Sequence, residues 1–439
     1  MTTATKDQET TPSYAGADAP AAGQATGLLI IGASQSGVQL AASLRALGFD
    51  EHITLLGDED HRPYQRPALS KEWLQGKVGN ESLIFRPHDY WVDHNVTLVK
   101  NERIDDIQRD KQDPEAGIAY GRSGATYPYR RLALMVGASP RRLDVQGGNL
   151  PGVVYLRNAD DAIELKALVP EAKDVVVVGG GFIGLEAASS LRELGKNVTV
   201  LEHGPKLIGR AVGEQTSEYF LKEHLDRGLD IRLEAQIDEI LPDENGDVEA
   251  VRLTDGEEVA AQIVLIGIGV VPNTQLAEVL GLEVNNGIVV NAHALASDGT
   301  TIVAGDVANM PNPVPGSPDD ERIRMESVNN AIEHAKVAAY SLMGRSEEYA
   351  GIPWFWSNQA DIKLQIAGLS TGFDQTVVRD ATERGKFSVL YYRNGQIIAA
   401  DCANAPLDFM AVKQALGKGK NISPDAAADV STMLKSLIA

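Results

Sequence analysis

Two glycine-rich loops, each set between an apolar run and a helix-like stretch, constrain this chain most. The first is Gly32-Ala33-Ser34-Gln35-Ser36-Gly37, after Leu28-Leu29-Ile30-Ile31. The second is Gly179-Gly180-Gly181-Phe182-Ile183-Gly184, after Val175-Val176-Val177-Val178. A buried strand that turns through glycines into a helix opens a βαβ unit, and such a turn holds the pyrophosphate of a dinucleotide. Two frames in one chain predict two dinucleotides held against each other. Passing a hydride from a nicotinamide to a flavin is the usual reason for that arrangement. The expected fold is α/β, with two Rossmann-like dinucleotide-binding domains and a small C-terminal α+β interface domain.

In the first frame, Val38, Leu40, Ala41, Leu44 and Leu47 give a helix closed by Gly48, and Ile53–Leu56 gives the next strand. Asp58 and Glu59 follow, where a carboxylate binds an adenosine ribose. Ser34 stands where a second glycine would let the backbone approach the pyrophosphate; serine is small and adds a hydroxyl donor. In the second frame, Gly179, Gly181 and Gly184 supply the turn, the close approach and the helix packing. The following strand, Val198–Leu201, ends on Glu202. A carboxylate there accepts from both ribose hydroxyls of NADH and repels the 2′-phosphate of NADPH. His203 and Lys206 lie close by in sequence.

The 439 residues suffice for two to four domains. A formal net charge of −21 argues against nucleic acid and anionic membranes as partners, because the long-range field repels both. No apolar run reaches the ~18 residues of a membrane span. Cys402 is the single cysteine, so neither a disulfide framework nor a Cys-x-x-Cys pair is available, and a cytoplasmic location is expected. No metal site is expected. Residues 1–26 have the composition of a disordered extension. Towards the other end, Asn394-Gly395 between Phe387–Tyr392 and Gln396–Ala399 signals a hairpin, with helices after Pro406.

The string Arg62-Pro63-Tyr64-Gln65-Arg66-Pro67-Ala68-Leu69-Ser70-Lys71 resembles a segment of the FAD-dependent ferredoxin reductases of bacterial oxygenase and cytochrome P450 systems, the putidaredoxin reductase type. Further matching strings are Gly137-Ala138-Ser139-Pro140-Arg141-Arg142, Gly267-Ile268-Gly269-Val270-Val271-Pro272-Asn273, Gly305-Asp306, Glu326-Ser327-Val328-Asn329-Asn330-Ala331 and Pro353-Trp354-Phe355-Trp356. The resemblance covers about Gly27 to Ala405, in order and without large gaps.

The resemblance implies FAD and NADH as cofactors, and an iron–sulfur ferredoxin serving an oxygenase or P450 as partner. It implies FAD contacts at Gly32, Ser34, Ser36, Gly37, Asp58, Glu59, Arg66, Lys71, Ile104, Arg141, Arg157, Asp306, Val328 and Trp356. For NADH it implies Gly179, Gly181, Phe182, Ile183, Gly184, Glu202 and Gly269. Catalytic roles fall to Lys71 at the flavin edge, Glu186 as its ionic partner and Trp356 on the docking side. Phe182 would cover the flavin until nicotinamide displaces it; simple core packing is the alternative.

The implied domains are 27–143 with 272–350 for FAD, 144–271 for NADH and 351–439 for the interface. Docking an acidic ferredoxin needs a basic patch, with Lys336 and Arg66 as candidates. A rubredoxin reductase and a flavoprotein resembling apoptosis-inducing factor remain alternatives. Sulfur-based relatives need a cysteine near the flavin, and none precedes Cys402.

Overall fold

The computed structural model describes residues 26–314, 317–318 and 320–439. The expected N-terminal extension lies outside the described residues, except that Thr26 already opens the first strand.

The apolar run of the first frame forms β1 (Thr26–Ile31), whose Leu28, Leu29 and Ile30 are fully buried. Helix α1 (Gln35–Ala46) follows, then β2 (Ile53–Leu56), α2 (His88–Asp93) and β3 (Val96–Val99). A meander of β4 (Ile104–Arg109), β5 (Gly117–Gly121) and β6 (Thr126–Leu134) completes the sheet in the order β3-β2-β1-β6-β5-β4. Strands β3, β2, β1 and β6 are parallel; β5 and β4 add antiparallel. The continuous apolar strands are covered on both faces, as parallel sheets require.

Strand β7 (Ala138–Pro140) leads out of this unit. The second unit contains β8 (Val153–Tyr155), α3 (Ala159–Leu168), β9 (Asp174–Val178), α4 (Phe182–Glu193), β10 (Asn197–Leu201), α5 (Glu214–Asp226) and β11 (Asp230–Arg232). A separate antiparallel sheet of β12 (Ile237–Pro242), β13 (Val248–Leu253) and β14 (Glu258–Ala260) follows, then β15 (Ile263–Ile266). The parallel sheet reads β11-β10-β9-β15-β8. Strand β16 (Val270–Pro272) pairs antiparallel with β7, so the outgoing and returning chains cross as a two-stranded ribbon.

The returning chain carries α6 (Gln275–Val279), β17 (Ile288–Val289), β18 (Ile302–Val303), β19 (Ala308–Pro311), β20 (Arg322–Ile323) and α7 (Val328–Leu342). Strand β18 joins the first sheet parallel to β6, and α7 packs against α1. The first sheet is therefore built from two distant stretches of sequence.

The last sheet is antiparallel, from β21 (Trp354–Gln359), β22 (Ile362–Gly368), β23 (Gln375–Ala381), β24 (Lys386–Arg393) and β25 (Gln396–Ala403), in the order β21-β22-β25-β24-β23. Asn394 and Gly395 both take positive φ (51° and 74°), as a tight hairpin demands. Helix α8 (Pro406–Gly417) covers the sheet, followed by α9 (Pro424–Ala427). Both α4 and α7 pack against β21, which places this strand where the three units meet. Among the described residues no helix is long and apolar enough to cross a membrane.

Candidate active site

The first glycine loop is dictated by backbone approach. A Cβ at Gly32 (φ 113°) would lie 2.2 Å from the Met135 carbonyl oxygen, and one at Gly37 would lie 1.9 Å from the Gly32 oxygen. Only glycine lets α1 sit this close to the strand ends. Ser34 occupies the N-cap but makes no capping hydrogen bond, and the first turn carries no acidic residue. The N–H groups there have no side-chain acceptor, which suits them to an anion such as a pyrophosphate.

Other predicted residues converge on this loop. Arg66 ion-pairs with Glu59, and donates to Ser34 Oγ (3.2 Å) and the Arg157 carbonyl (2.8 Å). The Tyr64 hydroxyl donates to Glu59 Oε2 at 2.6 Å. Arg157 Nη2 lies 3.1 Å from Asp306 Oδ2. Gly305 (φ 82°) leaves room for Ser36, whose Oγ would be 2.9 Å from an added Cβ. Ser34, Ser36, Glu59, Arg66, Arg157 and Asp306 thus form one polar cradle. Asp58 stays exposed at the end of β2, in the field of Arg66. Ile104 is buried at the start of β4, held beside β2 because Glu102 N–H donates to the Gly57 carbonyl (2.9 Å). Val328 is the first residue of α7, capped by Ser327 Oγ accepting from Asn330 N–H at 3.0 Å.

One expectation needs correction. Arg66 is turned inward onto Glu59, so it offers no docking charge. Arg141 is exposed beside the β7–β16 ribbon, its N–H donating to the Gly269 carbonyl (2.9 Å).

The second loop repeats the construction. Cβ atoms at Gly179 (φ 109°) and Gly184 would lie 2.5 Å from the Gly267 oxygen and 2.1 Å from the Gly179 oxygen. Gly181 is the N-cap of α4; nothing lies within 4 Å of a Cβ built there, so the backbone is open to a ligand. Ile183 is exposed beside it. Glu202 accepts N–H groups of Gly180 and Gly204 on its two oxygens, each at 2.6 Å. Gly269 (φ 97°) faces Arg210, whose Nη1 would be 3.7 Å from an added Cβ. Arg210 is exposed and was not anticipated from sequence. Lys206 donates to the Val212 carbonyl (3.3 Å).

A buried ion pair joins the segment after Arg66 to α4. Lys71 Nζ is 2.5 Å from Glu186 Oε2, with the two side chains 11% and 6% exposed. Ser70 Oγ donates to the same oxygen at 2.6 Å. Removing one partner of such a pair strands the other charge in a poorly hydrated site. Phe182, one turn before Glu186, packs on Phe355 with ring centroids 4.5 Å apart. Trp356 lies beside Trp354, the rings tilted with centroids 5.4 Å apart, and Lys413 Nζ lies 4.4 Å above the Trp354 ring. Lys336 pairs with Glu333 at 2.8 Å. Cys402 is buried in β25, and burial pushes its thiol pKa well up. Among the described residues no group of three or more His, Cys, Asp or Glu is placed to hold a metal.

Residues 26–338 match the pyridine nucleotide-disulphide oxidoreductase family, and residues 354–438 match the reductase C-terminal domain. The chain belongs to the pyridine nucleotide-disulphide oxidoreductase family. It is 40% identical over 412 residues to rhodocoxin reductase of Rhodococcus erythropolis, covering 94% of each chain. The ferredoxin reductase for the CYP199A2 system from Rhodopseudomonas palustris superposes with a TM-score of 0.88 at 37% identity, over 94% of this chain and 100% of that one. The reductase fold in the covalent putidaredoxin reductase–putidaredoxin complex gives 0.88 at 33% identity, over 94% and 98%. The family takes part of its name from disulphide chemistry, but the only cysteine of this chain is the inert Cys402.

Proposed function

We propose that this chain is an FAD-dependent NADH:ferredoxin reductase, passing electrons to an iron–sulfur ferredoxin that feeds an oxygenase or P450. The buried Lys71–Glu186 pair carries the reading: it joins the segment whose Arg66 bonds the first glycine loop to the helix that the second loop opens, and that helix packs against the strand that bears Trp356. Bound FAD supplies the chemistry, accepting a hydride from NADH and releasing electrons singly.

The protein's part is alignment and electrostatics. The α1 N–H groups would hold the FAD pyrophosphate, with Asp58 at the adenosine ribose and Ile104 beside it. Asp306, held by Arg157, would take a ribityl hydroxyl. The first turn of α7, at Val328, would favour negative charge at the flavin's pyrimidine end. Gly181 and the α4 N-terminus would receive the NADH pyrophosphate, with Ile183 and Gly269 along its path and Glu202 at the ribose. Lys71 offers a fixed positive charge to the reduced flavin, and Glu186 keeps that ammonium in place. Phe182 would yield to the nicotinamide. Trp356, beside Trp354 and Lys413, marks the exit side. The domain limits 27–143 with 272–350, 144–271 and 351–439 follow this division of labour, and the lone cysteine supports a cytoplasmic setting.

A visible spectrum of the purified protein, titrated anaerobically with NADH and NADPH and followed by turnover with an iron–sulfur ferredoxin, tests the proposal. Bleaching of a flavin band by NADH and ferredoxin reduction are expected. A colourless protein that takes up no FAD would end it.

A further inference from the structure

The Glu186 carboxylate is held from two directions. Oε2 accepts Lys71 Nζ and Ser70 Oγ, as described. Oε1 accepts Ser357 Oγ at 2.7 Å. Ser357 Oγ accepts Gln359 Nε2 at 3.1 Å, and Gln359 Oε1 lies 2.8 Å from His224 Nε2. Ser357, Gln359 and His224 have no exposed surface.

The direction of each bond in this row is fixed. Donation from Gln359 to Ser357 leaves the amide oxygen facing His224, so Nε2 of the imidazole carries the proton. His224 Nδ1 is buried without a hydrogen-bond partner, and burial lowers the pKa of the ring, so it stays neutral. Every hydrogen in the row therefore points towards Glu186. An acceptor that receives only donors on both oxygens is an ionised carboxylate, and its position is set by all of them together.

Strand geometry explains how the row reaches the site. Phe355, Ser357 and Gln359 alternate along one face of β21, while Trp354 and Trp356 lie on the other. One face thus grips α4 and the other carries the aromatics of the exit side.

We propose that His224, Gln359 and Ser357 are positioning residues that fix Glu186, and through it Lys71, during reduction by NADH. The C-terminal domain then serves the hydride-transfer half of the reaction as well as the electron-transfer half. This rests on the reading that Lys71 and Glu186 border the flavin.

The test uses FAD-loaded full-length protein and anaerobic rapid mixing with NADH, which separates the limiting rate of flavin bleaching from the Kd for NADH. Ser357→Ala is expected to lower the limiting rate about tenfold, the equivalent of one lost hydrogen bond to a charged group, with Kd within about twofold of wild type. Ser357→Thr keeps the hydroxyl and is expected to restore most of the rate, which a general packing defect would not allow. Gln359→Met is close in shape, removes two links at once, and serves where the alanine variant does not fold; it is expected to slow bleaching several-fold. Wild-type rates in the folded Ser357 and Gln359 variants, alongside a slow Glu186→Gln, would overturn the positioning role. A wild-type rate in Glu186→Gln itself would instead overturn the underlying assignment of the ion pair.

Discussion

Replacing Glu202 with glutamine tests the nucleotide preference. In the wild type each carboxylate oxygen accepts one backbone N–H, from Gly180 or Gly204, at 2.6 Å. Each oxygen keeps a second lone-pair site for a ribose hydroxyl. Glutamine presents one oxygen and one NH2 group, so one backbone N–H meets a donor and one ribose hydroxyl loses a charged acceptor. A hydrogen bond to a charged group is worth about 1.5–3 kcal/mol, so NADH binding should weaken roughly 10- to 100-fold. The same change removes a negative charge from the place a 2′-phosphate would enter. Two like charges about 4 Å apart repel by about 1 kcal/mol in bulk water and about 4 kcal/mol near a protein surface. NADPH should therefore gain at least about fivefold. The ratio of kcat/KM for NADH over NADPH falls about 50-fold or more, read from reduction of ferricyanide with each nucleotide. A ratio within threefold of wild type would refute the reasoning, because Glu202 would then serve only to tie its two loops together.

Other expectations follow from the same geometry. Lys71→Met should cost about 3–5 kcal/mol of stability by stranding Glu186, and adding Glu186→Gln should recover at least about 1 kcal/mol relative to additivity; strictly additive urea unfolding energies would contradict the pair. Raising salt from about 50 to 500 mM should slow ferredoxin turnover while sparing NADH-driven reduction of a small dye, since only the former uses long-range attraction to cations such as Lys413 and Lys336; equal sensitivity of both reactions would count against that docking. His334 is fully buried with neither ring nitrogen bonded, and burial lowers its pKa to about 4. The unfolded chain takes up this proton below pH ~6.5. Its contribution is therefore complete above that pH and is lost as pH falls through about 4, by up to about 3 kcal/mol. His334→Leu should flatten this acid limb in thermal melts; an unchanged slope would show that other groups cause it.

What the sequence made legible is what repeats a local pattern. Val175–Val178 reads as a buried strand because all four residues are apolar, and Gly179, Gly181 and Gly184 read as a loop because glycines at this spacing after a strand are the dinucleotide-turn pattern. The Asn394-Gly395 turn is visible for the same reason. The meander β4–β6 was not foreseen. In β4 only Ile104 and Ile107 are buried, a spacing of three that breaks the alternation of a half-buried strand. Arg66 was assigned a docking role because nothing local reveals that its guanidinium turns inward to Glu59. Ser357 is not legible because a serine between Trp356 and Asn358 carries no pattern, and its partner Glu186 lies 171 residues away. Ser70 belongs to a recognised string, yet its hydroxyl on Glu186 becomes apparent only when α4 is in place.

The register between α4 and β21 joins these pieces. Phe182 and Glu186 are four residues apart on the helix, a rise of about 6 Å. Phe355 and Ser357 are two apart on the strand, a rise of about 6.6 Å. The near-equality lets the ring contact and the hydrogen bond form together, Phe182 on Phe355 and Glu186 on Ser357. Seating the aromatic pair therefore also aligns the carboxylate with its hydroxyl. Because α4 begins at the second glycine loop, its N-terminus is held by the nucleotide-binding turn and its next turn by the C-terminal sheet. A nicotinamide that displaces Phe182 must loosen its contact with Phe355. The Ser357 bond keeps Glu186 and Lys71 in place while that happens, which is why the hydroxyl row is needed in addition to the aromatic pair.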